Sequence, residues 1–306
     1  MDVALVVGGT SFVGRHVGRL LAVRGVSYVA TSRVAKQTFL QCDLRHPGEL
    51  SAVVQAVRPR WIFACAGATS QSSALELHAL HVAATEELLE AAALHAPDAV
   101  TVLLGSAAEY GAVTAELLPI GEDTPAHPQS DYGKSKLAQL HAAQRLARDR
   151  GLRVHVVRPF NLLGPGLPTH YFPASLCGRL RQAKQAGHQG PITVVNGQAT
   201  RDWVDVRDAA DAIVRLAVDA LPEAGSVRLY NIATGIETPV LALAEHLCRL
   251  AGVFRAVDEG TNASRSGIDR SCGDASRLRA ATGWQPRIPW QRSAEELWQS
   301  VWNSGD

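Results

Sequence analysis

Val3-Ala4-Leu5-Val6-Val7-Gly8-Gly9-Thr10-Ser11-Phe12-Val13-Gly14 opens a chain of 306 residues. Residues 3–7 are an unbroken, β-rich apolar run, the pattern of a strand buried on both faces. After the glycines, Phe12, Val13, Val17, Leu20 and Leu21 recur with a helical period until Gly25. Strand, glycine turn and helix together aim backbone N–H groups and the positive end of a helix dipole at one point, which suits a pyrophosphate. A glycine turn alone is weak evidence, because other tight turns use the same residues; its position at the first strand strengthens it. The expected contacts are Gly8, Ser11, Phe12, Val13 and Gly14.

Reading outward, residues 27–31 form a second strand that ends in Thr31-Ser32-Arg33. An acid about 20 residues past the glycines would accept from a ribose 2′-hydroxyl, and none stands there. Ser32 offers a donor and Arg33 a positive charge, a pair suited to a 2′-phosphate, with Arg15 and Lys36 able to add charge. The alternative is an Arg33 that stacks on adenine or points into solvent. Residues 38–41 lead as a short strand into Cys42-Asp43-Leu44, where Asp43 either accepts from an adenine amino group or caps the helix after Pro47. Residues 61–65 are the fourth strand, and the small Ala66 and Gly67 beyond it let a flat ring approach the backbone. A long helix is expected over residues 74–93, with Leu77, Leu80, Leu88 and Leu89 on its apolar face. His78, His81 and His95 read as surface or packed residues, and no metal is expected.

A fifth strand, residues 100–104, delivers Ser106, and Tyr132 and Lys136 follow four residues apart. On a helix that spacing sets both on one face, one turn apart. A free tyrosine titrates near ~10, and a neighbouring ammonium favours its phenolate. Ser106 supplies a second hydroxyl to the same substrate oxygen, so the trio suits moving a proton at a carbonyl or carbinol oxygen while a hydride moves at its carbon. The bland alternative is two unconnected polar residues on an amphipathic helix, but five tyrosines and only four lysines make a chance pair rare. Residues 111–129, rich in proline and acids, are expected to be a surface loop bordering the substrate. The Tyr132 helix should run to about Arg150, closed by Gly151, with a sixth strand at residues 154–157.

Strands alternating with helices imply an α/β fold, a doubly wound parallel sheet of Rossmann type, with ligands beyond the carboxyl ends of the strands. Past Gly166 the texture changes to a helix over residues 173–186 with Arg179 and Arg181, a hairpin strand near residues 194–197, a helix through Leu216, a strand at residues 230–233, a helix over residues 239–250 and a basic loop near Arg265. This half supplies arginines but no complete catalytic group, so it reads as a smaller C-terminal substrate-binding domain. The expected division is residues 1–160 plus about 203–233 for the dinucleotide, and about 161–202 plus 234–306 for the substrate.

The bulk numbers exclude little and exclude it clearly. Thirty basic against 29 acidic residues give a net charge of +1, so no nucleic-acid or membrane surface is indicated. Arginines outnumber lysines 26 to 4, which makes a lysine at position 136 more pointed. Five scattered cysteines without a Cys-x-x-Cys pair suggest a reduced, cytoplasmic protein without structural zinc. No leader precedes the first strand, and no apolar run reaches membrane-spanning length.

Taken together, the glycine turn, Asp43-Leu44, Ser106 five residues before Gly111, Tyr132/Lys136, Arg158-Pro159-Phe160-Asn161, Arg201-Asp202 and Tyr230-Asn231 resemble the extended short-chain dehydrogenase/reductase superfamily of nucleotide-sugar epimerases, dehydratases and reductases. The resemblance runs from Gly8 to about Pro286. Within it, residues 158–166 and 201–208 most resemble the GDP-4-keto-6-deoxymannose reductases and related 4-ketoreductases. It implies NADPH-dependent reduction of a 4-keto-6-deoxy nucleotide sugar, with NADP(H) ahead of NAD(H), Pro159 beside the cofactor, and Glu109, Asn161, Arg179 and Arg201 toward the substrate. It also implies a homodimer through helices near residues 76–95 and 132–150. For Arg201 the structural alternative is a salt bridge with Asp202 or Asp205. Three positions depart from the family pattern: Ser11 replaces a glycine, Ala64 a histidine, and His81 an asparagine. A dehydratase would need an Asp-Glu pair where Ala107 and Ala108 stand. A 4-epimerase needs only the same tyrosine and a retained NAD, and a non-enzymatic dinucleotide sensor has no use for the catalytic pair.

Overall fold

The computed structural model describes residues 2–35, 38–187, 190–252, 255–258 and 268–304. Lys36 and Arg265, named above for their charge, lie outside the described residues. The strands are β1 (Ala4–Val7), β2 (Tyr28–Ser32), β3 (Leu40–Gln41), β4 (Trp61–Ala64), β5 (Val100–Leu104), β6 (Arg153–Pro159), β7 (Asn161–Leu163), β8 (Ile192–Val194), β9 (Thr200–Arg201), β10 (Trp203–Asp205), β11 (Ser226–Ile232), β12 (Thr238–Pro239) and β13 (Ala256–Asp258). The helices are α1 (Phe12–Val23), α2 (Glu49–Val57), α3 (Ala74–Leu77), α4 (Ala84–His95), α5 (Asp131–Arg150), α6 (Phe172–Gln185), α7 (Val206–Asp219), α8 (Val240–Ala251), α9 (Ser276–Thr282) and α10 (Trp290–Asn303).

Among the described residues, seven strands form one parallel sheet in the order β11-β6-β5-β4-β1-β2-β3. β1 explains why. Its four residues are all buried; Ala4 and Val6 face a cluster shared with α1 and α7, Leu5 and Val7 one shared with α2, α4 and α5. Each buried Val or Leu side chain contributes about 1.5–3 kcal/mol. Chain order reverses between β1 and β4, and the crevice beyond their carboxyl ends is where such sheets hold ligands.

A third apolar cluster, with Leu176, Leu180, Trp203, Leu243, Leu247 and Leu297, packs α6, α8 and α10 together beyond that crevice. β7 and β10 pair in parallel, β9 and β12 antiparallel. The hairpin expected near residues 194–197 does not form: β8 pairs in parallel with β13, more than sixty residues away, because the turn at Asn196 (φ 55°) carries the chain on to β9 instead of doubling it back. The helix expected over residues 74–93 is interrupted by a π-helical turn, His78–Ala83, between α3 and α4. Among the described residues no helix is long and apolar enough to cross a membrane, and no cluster of metal-ligating side chains occurs.

Candidate active site

A cavity of about 880 Å³ opens along the carboxyl ends of the strands. Ser11, Phe12, Val13 and Arg33 line one part of it, Ala66 and Gly67 the floor, Ser106, Tyr132, Lys136 and Pro159 the middle, and Asn161 and Arg201 lie beyond. The glycine turn is built for close approach. Gly8 sits at φ 83°, and a Cβ on Gly14 would stand 2.2 Å from the Gly8 carbonyl oxygen. Ser11 explains how the turn manages without its middle glycine: its backbone is extended (φ −67°, ψ 165°), and its side chain caps α1 by accepting from the Gly14 amide at 3.0 Å. With a twelve-residue helix behind it, the turn fits a pyrophosphate. Arg33 is exposed and makes no ion pair among the described residues, and Ser32 Oγ accepts from the Val34 amide. These residues suit a dinucleotide.

The middle of the cavity holds the chemistry. Ser130 caps α5 by accepting from the Gly133 amide, so Tyr132 and Lys136 lie in its first turns on the cavity face. Ser106 lines this part of the cavity together with Tyr132. Burial pushes the Tyr132 phenol above its ordinary value; Tyr171 adds to the rise and the nearby Ser106 hydroxyl opposes it. The expected lowering by Lys136 is absent, because the lysine is turned elsewhere. Its Nζ donates to the Leu104 carbonyl at 2.6 Å and to Gln139 Oε1 at 3.0 Å, and Gln139 donates on to Thr85. Burial also lowers the Lys136 ammonium to about 8.

Four expectations need correcting. Glu109 does not face the cavity: it is fully buried, bound to Arg158, with one oxygen accepting from the Ser106 amide at 2.8 Å. Its work is to hold the Ser106 turn, since an acid in that capping position finds the backbone before it finds solvent. Arg179 is exposed outside the cavity and donates to the Thr193 carbonyl. Asp43 is held by Arg45 through side chain and backbone, which lowers its carboxyl to about 2, and it is not among the residues that line the cavity; Leu44 packs against the core beside it. Residues 111–129 do not line the cavity; Ile120 bridges to Gly273 and Glu122 accepts from the Asn231 amide. Arg201, in contrast, lines the cavity and makes neither proposed salt bridge. It donates to the Thr200 carbonyl, while Asp202 binds Thr234 and Asp205 binds Arg207.

Several residues escaped the sequence reading. His170, Tyr171, Phe172, Asn196 and Trp203 also line the cavity. His81, expected as a surface or packed residue, is fully buried against Tyr132; it lies four residues after Leu77 and seven before Leu88, on the apolar face.

Comparison with known proteins places the chain in a family. The NAD dependent epimerase/dehydratase family matches residues 4–233. The chain is 30 % identical to a dTDP-6-deoxy-L-talose 4-dehydrogenase (NAD(P)(+)) of Kitasatospora kifunensis, over 96 % of this chain and 93 % of that one. It is 29 % identical to a GDP-6-deoxy-D-mannose reductase of Pseudomonas aeruginosa, over 98 % and 96 %. A UDP-glucose 4-epimerase of Mycolicibacterium smegmatis is 30 % identical over 93 % of each. Among solved structures, RMD from Pseudomonas aeruginosa complexed with NADPH superposes with a TM-score of 0.85 at 27 % identity, over 99 % of this chain and 100 % of that one.

Proposed function

Because the chain belongs to the NAD dependent epimerase/dehydratase family, we propose that it reduces a 4-keto-6-deoxy nucleotide sugar to the 4-hydroxy sugar with NADPH. The observation that carries this reading is the shared wall of Ser106, Tyr132 and Lys136, set between the glycine turn with Arg33 and Arg201. A bound nicotinamide supplies the hydride. Ser106 orients the ketone through its hydroxyl, and Tyr132 gives its proton to the ketone oxygen as negative charge develops there. A phenol held above its ordinary value keeps that proton until an acceptor arrives, which suits a general acid. Lys136, freed from the Leu104 carbonyl, contributes its charge beside the ribose and the phenol. Gly8, Ser11, Phe12, Val13, Gly14, Ala66, Gly67 and Pro159 form the cofactor cradle, Ser32 and Arg33 face the 2′-phosphate, and Asn161 and Arg201 meet the nucleotide sugar. In this reading residues 1–160 with about 203–233 hold the cofactor, and the remaining residues the sugar nucleotide, in a cytoplasmic homodimer joined through α4 and α5.

The relatives that are UDP-glucose 4-epimerases favour a second reading, reversible 4-epimerisation with retained NAD. One experiment separates the two. The purified protein is mixed with a panel of 4-keto sugar nucleotides and NADPH or NADH, and loss of reduced-cofactor absorbance is followed. Turnover with exchangeable NADPH supports the reductase. Resident NAD that does not exchange, with no turnover on any ketone, supports the epimerase.

A further inference from the structure

A buried imidazole bridges the floor of the cavity and the helix that carries Tyr132. Both ring nitrogens of His81 have partners: Nε2 lies 3.1 Å from the Ala68 amide nitrogen and Nδ1 2.8 Å from Ser135 Oγ. These partners decide the tautomer. An amide N–H only donates, so Nε2 accepts and carries no proton. The neutral ring then holds its proton on Nδ1 and donates it to Ser135 Oγ. The Ser135 hydroxyl in turn donates to the Tyr132 carbonyl at 2.8 Å. Each donor meets one acceptor, in one direction, from Ala68 through His81 and Ser135 to the main chain of Tyr132.

The surroundings are shaped to this ring. It stands edge-on to the Tyr132 ring, with centroids 5.6 Å apart at 77°. A Cβ on Gly67 would lie 3.1 Å from its Nε2, so a larger residue there would press on the ring. The π-helical turn His78–Ala83 delivers the ring, and such turns recur at functional sites. Burial, with the Lys136 charge nearby, opposes a second proton on the ring.

Resting on the reductase reading above, we propose that His81 is a positioning residue that locks the Ala66–Ala68 floor, where the cofactor lies, to the backbone of the proton donor Tyr132. The two halves of its bridge serve two functions. The Nε2 half fixes the floor for the cofactor; the Nδ1 half fixes the first turn of α5 for proton transfer.

Two near-isosteric substitutions separate the halves. Asparagine places its amide nitrogen near the Nδ1 position and leaves the Ala68 amide without an acceptor. Glutamine places its amide oxygen near the Nε2 position and offers Ser135 nothing. His81→Asn is expected to weaken NADPH binding, measured by titration, roughly five- to a hundredfold, the consequence of one buried donor left unsatisfied, with kcat within about twofold. His81→Gln is expected to keep the NADPH Kd within about twofold and to lower kcat by roughly fivefold or more. Equal changes in both constants for both variants, or a lowered Tm with neither constant moved, overturn the proposal and leave His81 a packing residue. An independent measurement needs no variant and no turnover. The nitrogen-15 imidazole spectrum of the native protein near pH 7 is expected to show a neutral, Nδ1-protonated His81, and a proton on Nε2 overturns the assignment. If the native chain turns over no 4-keto sugar nucleotide, the reductase reading falls, while the tautomer and the cofactor titration still decide the role of His81.

Discussion

The Glu109 carboxylate lies 2.7 Å from Arg158 Nη2, with 0 % and 2 % of the two side chains exposed. Arg158 also stands over the Tyr110 ring at 4.4 Å, and Glu109 holds the Ser106 amide. A buried pair of this kind adds little over an apolar pair, but removing one partner leaves a charge stranded in the interior. Glu109→Ala should therefore cost about 3–5 kcal/mol in urea unfolding. A loss below about 1 kcal/mol would show that water reaches Arg158 and that the pair holds nothing together.

Tyr132→Phe removes the proposed proton donor and keeps the ring that packs beside His81. Turnover should fall by roughly 10²–10⁴-fold while the NADPH Kd stays within experimental error. Turnover near that of the native protein in this variant would refute proton donation by Tyr132.

Arg33 has no ion-pair partner among the described residues, so its charge is free to meet a 2′-phosphate. A charge-assisted contact contributes ~1.5–3 kcal/mol, so Arg33→Ala should weaken NADPH by roughly ten- to a hundredfold and NADH little. Ser32→Asp should shift the preference further toward NADH. Equal losses for both cofactors in Arg33→Ala would mean that the guanidinium stacks on adenine.

Acid should loosen the fold partly through His81. Burial first, then the Lys136 charge, lower its imidazole to about 3, from an ordinary value of 6.5, although the Ala68 amide acts in the opposite direction. Between those values the unfolded chain carries the proton and the folded chain does not. Stability contributed by the neutral ring is therefore present above about pH 6.5 and lost as pH falls toward 3. The share lost by pH 5 is about 2 kcal/mol. His81→Gln should show a flatter Tm profile between pH 7 and 5 than the native chain. His16 and His155, lowered by burial in the same way, remain in both proteins and cancel in the comparison. Parallel profiles would mean that His81 takes up its proton in the folded state at its ordinary value.

Much of this was legible in the sequence because it is periodic and local. The apolar run of β1, the glycine turn and the span of α5 from Asp131 to its closing glycine all follow from residues within a turn or two of one another. What was not legible depends on partners far away in the chain. Glu109 looked available because nothing near it is basic; Arg158 arrives 49 residues later on β6. Arg179 was expected toward the substrate, but the carbonyl of Thr193 on β8 takes its guanidinium. His81 sat visibly on an apolar face, yet its meaning rests on Ser135, 54 residues away, and on a backbone amide that no side-chain pattern announces.

Asp202 ties the places where the chain passes between the sheet and the distal helices. Its main-chain oxygen accepts from the Asn161 amide at 3.0 Å, and its carboxylate accepts from the Thr234 and Gly235 amides at 2.9 Å and from the Gly273 amide at 3.2 Å. These four donors are backbone groups, which every residue but proline provides, and the Thr234 hydroxyl adds a fifth bond at 2.6 Å. The joint thus draws on one flanking side chain, Thr234, and the described residues among 164–199 contribute no bond to it. A chimaera carrying residues 164–199 from a relative would keep this joint where α6 still packs against α8 and α10, and would acquire a different cavity wall around Tyr171 and Asn196.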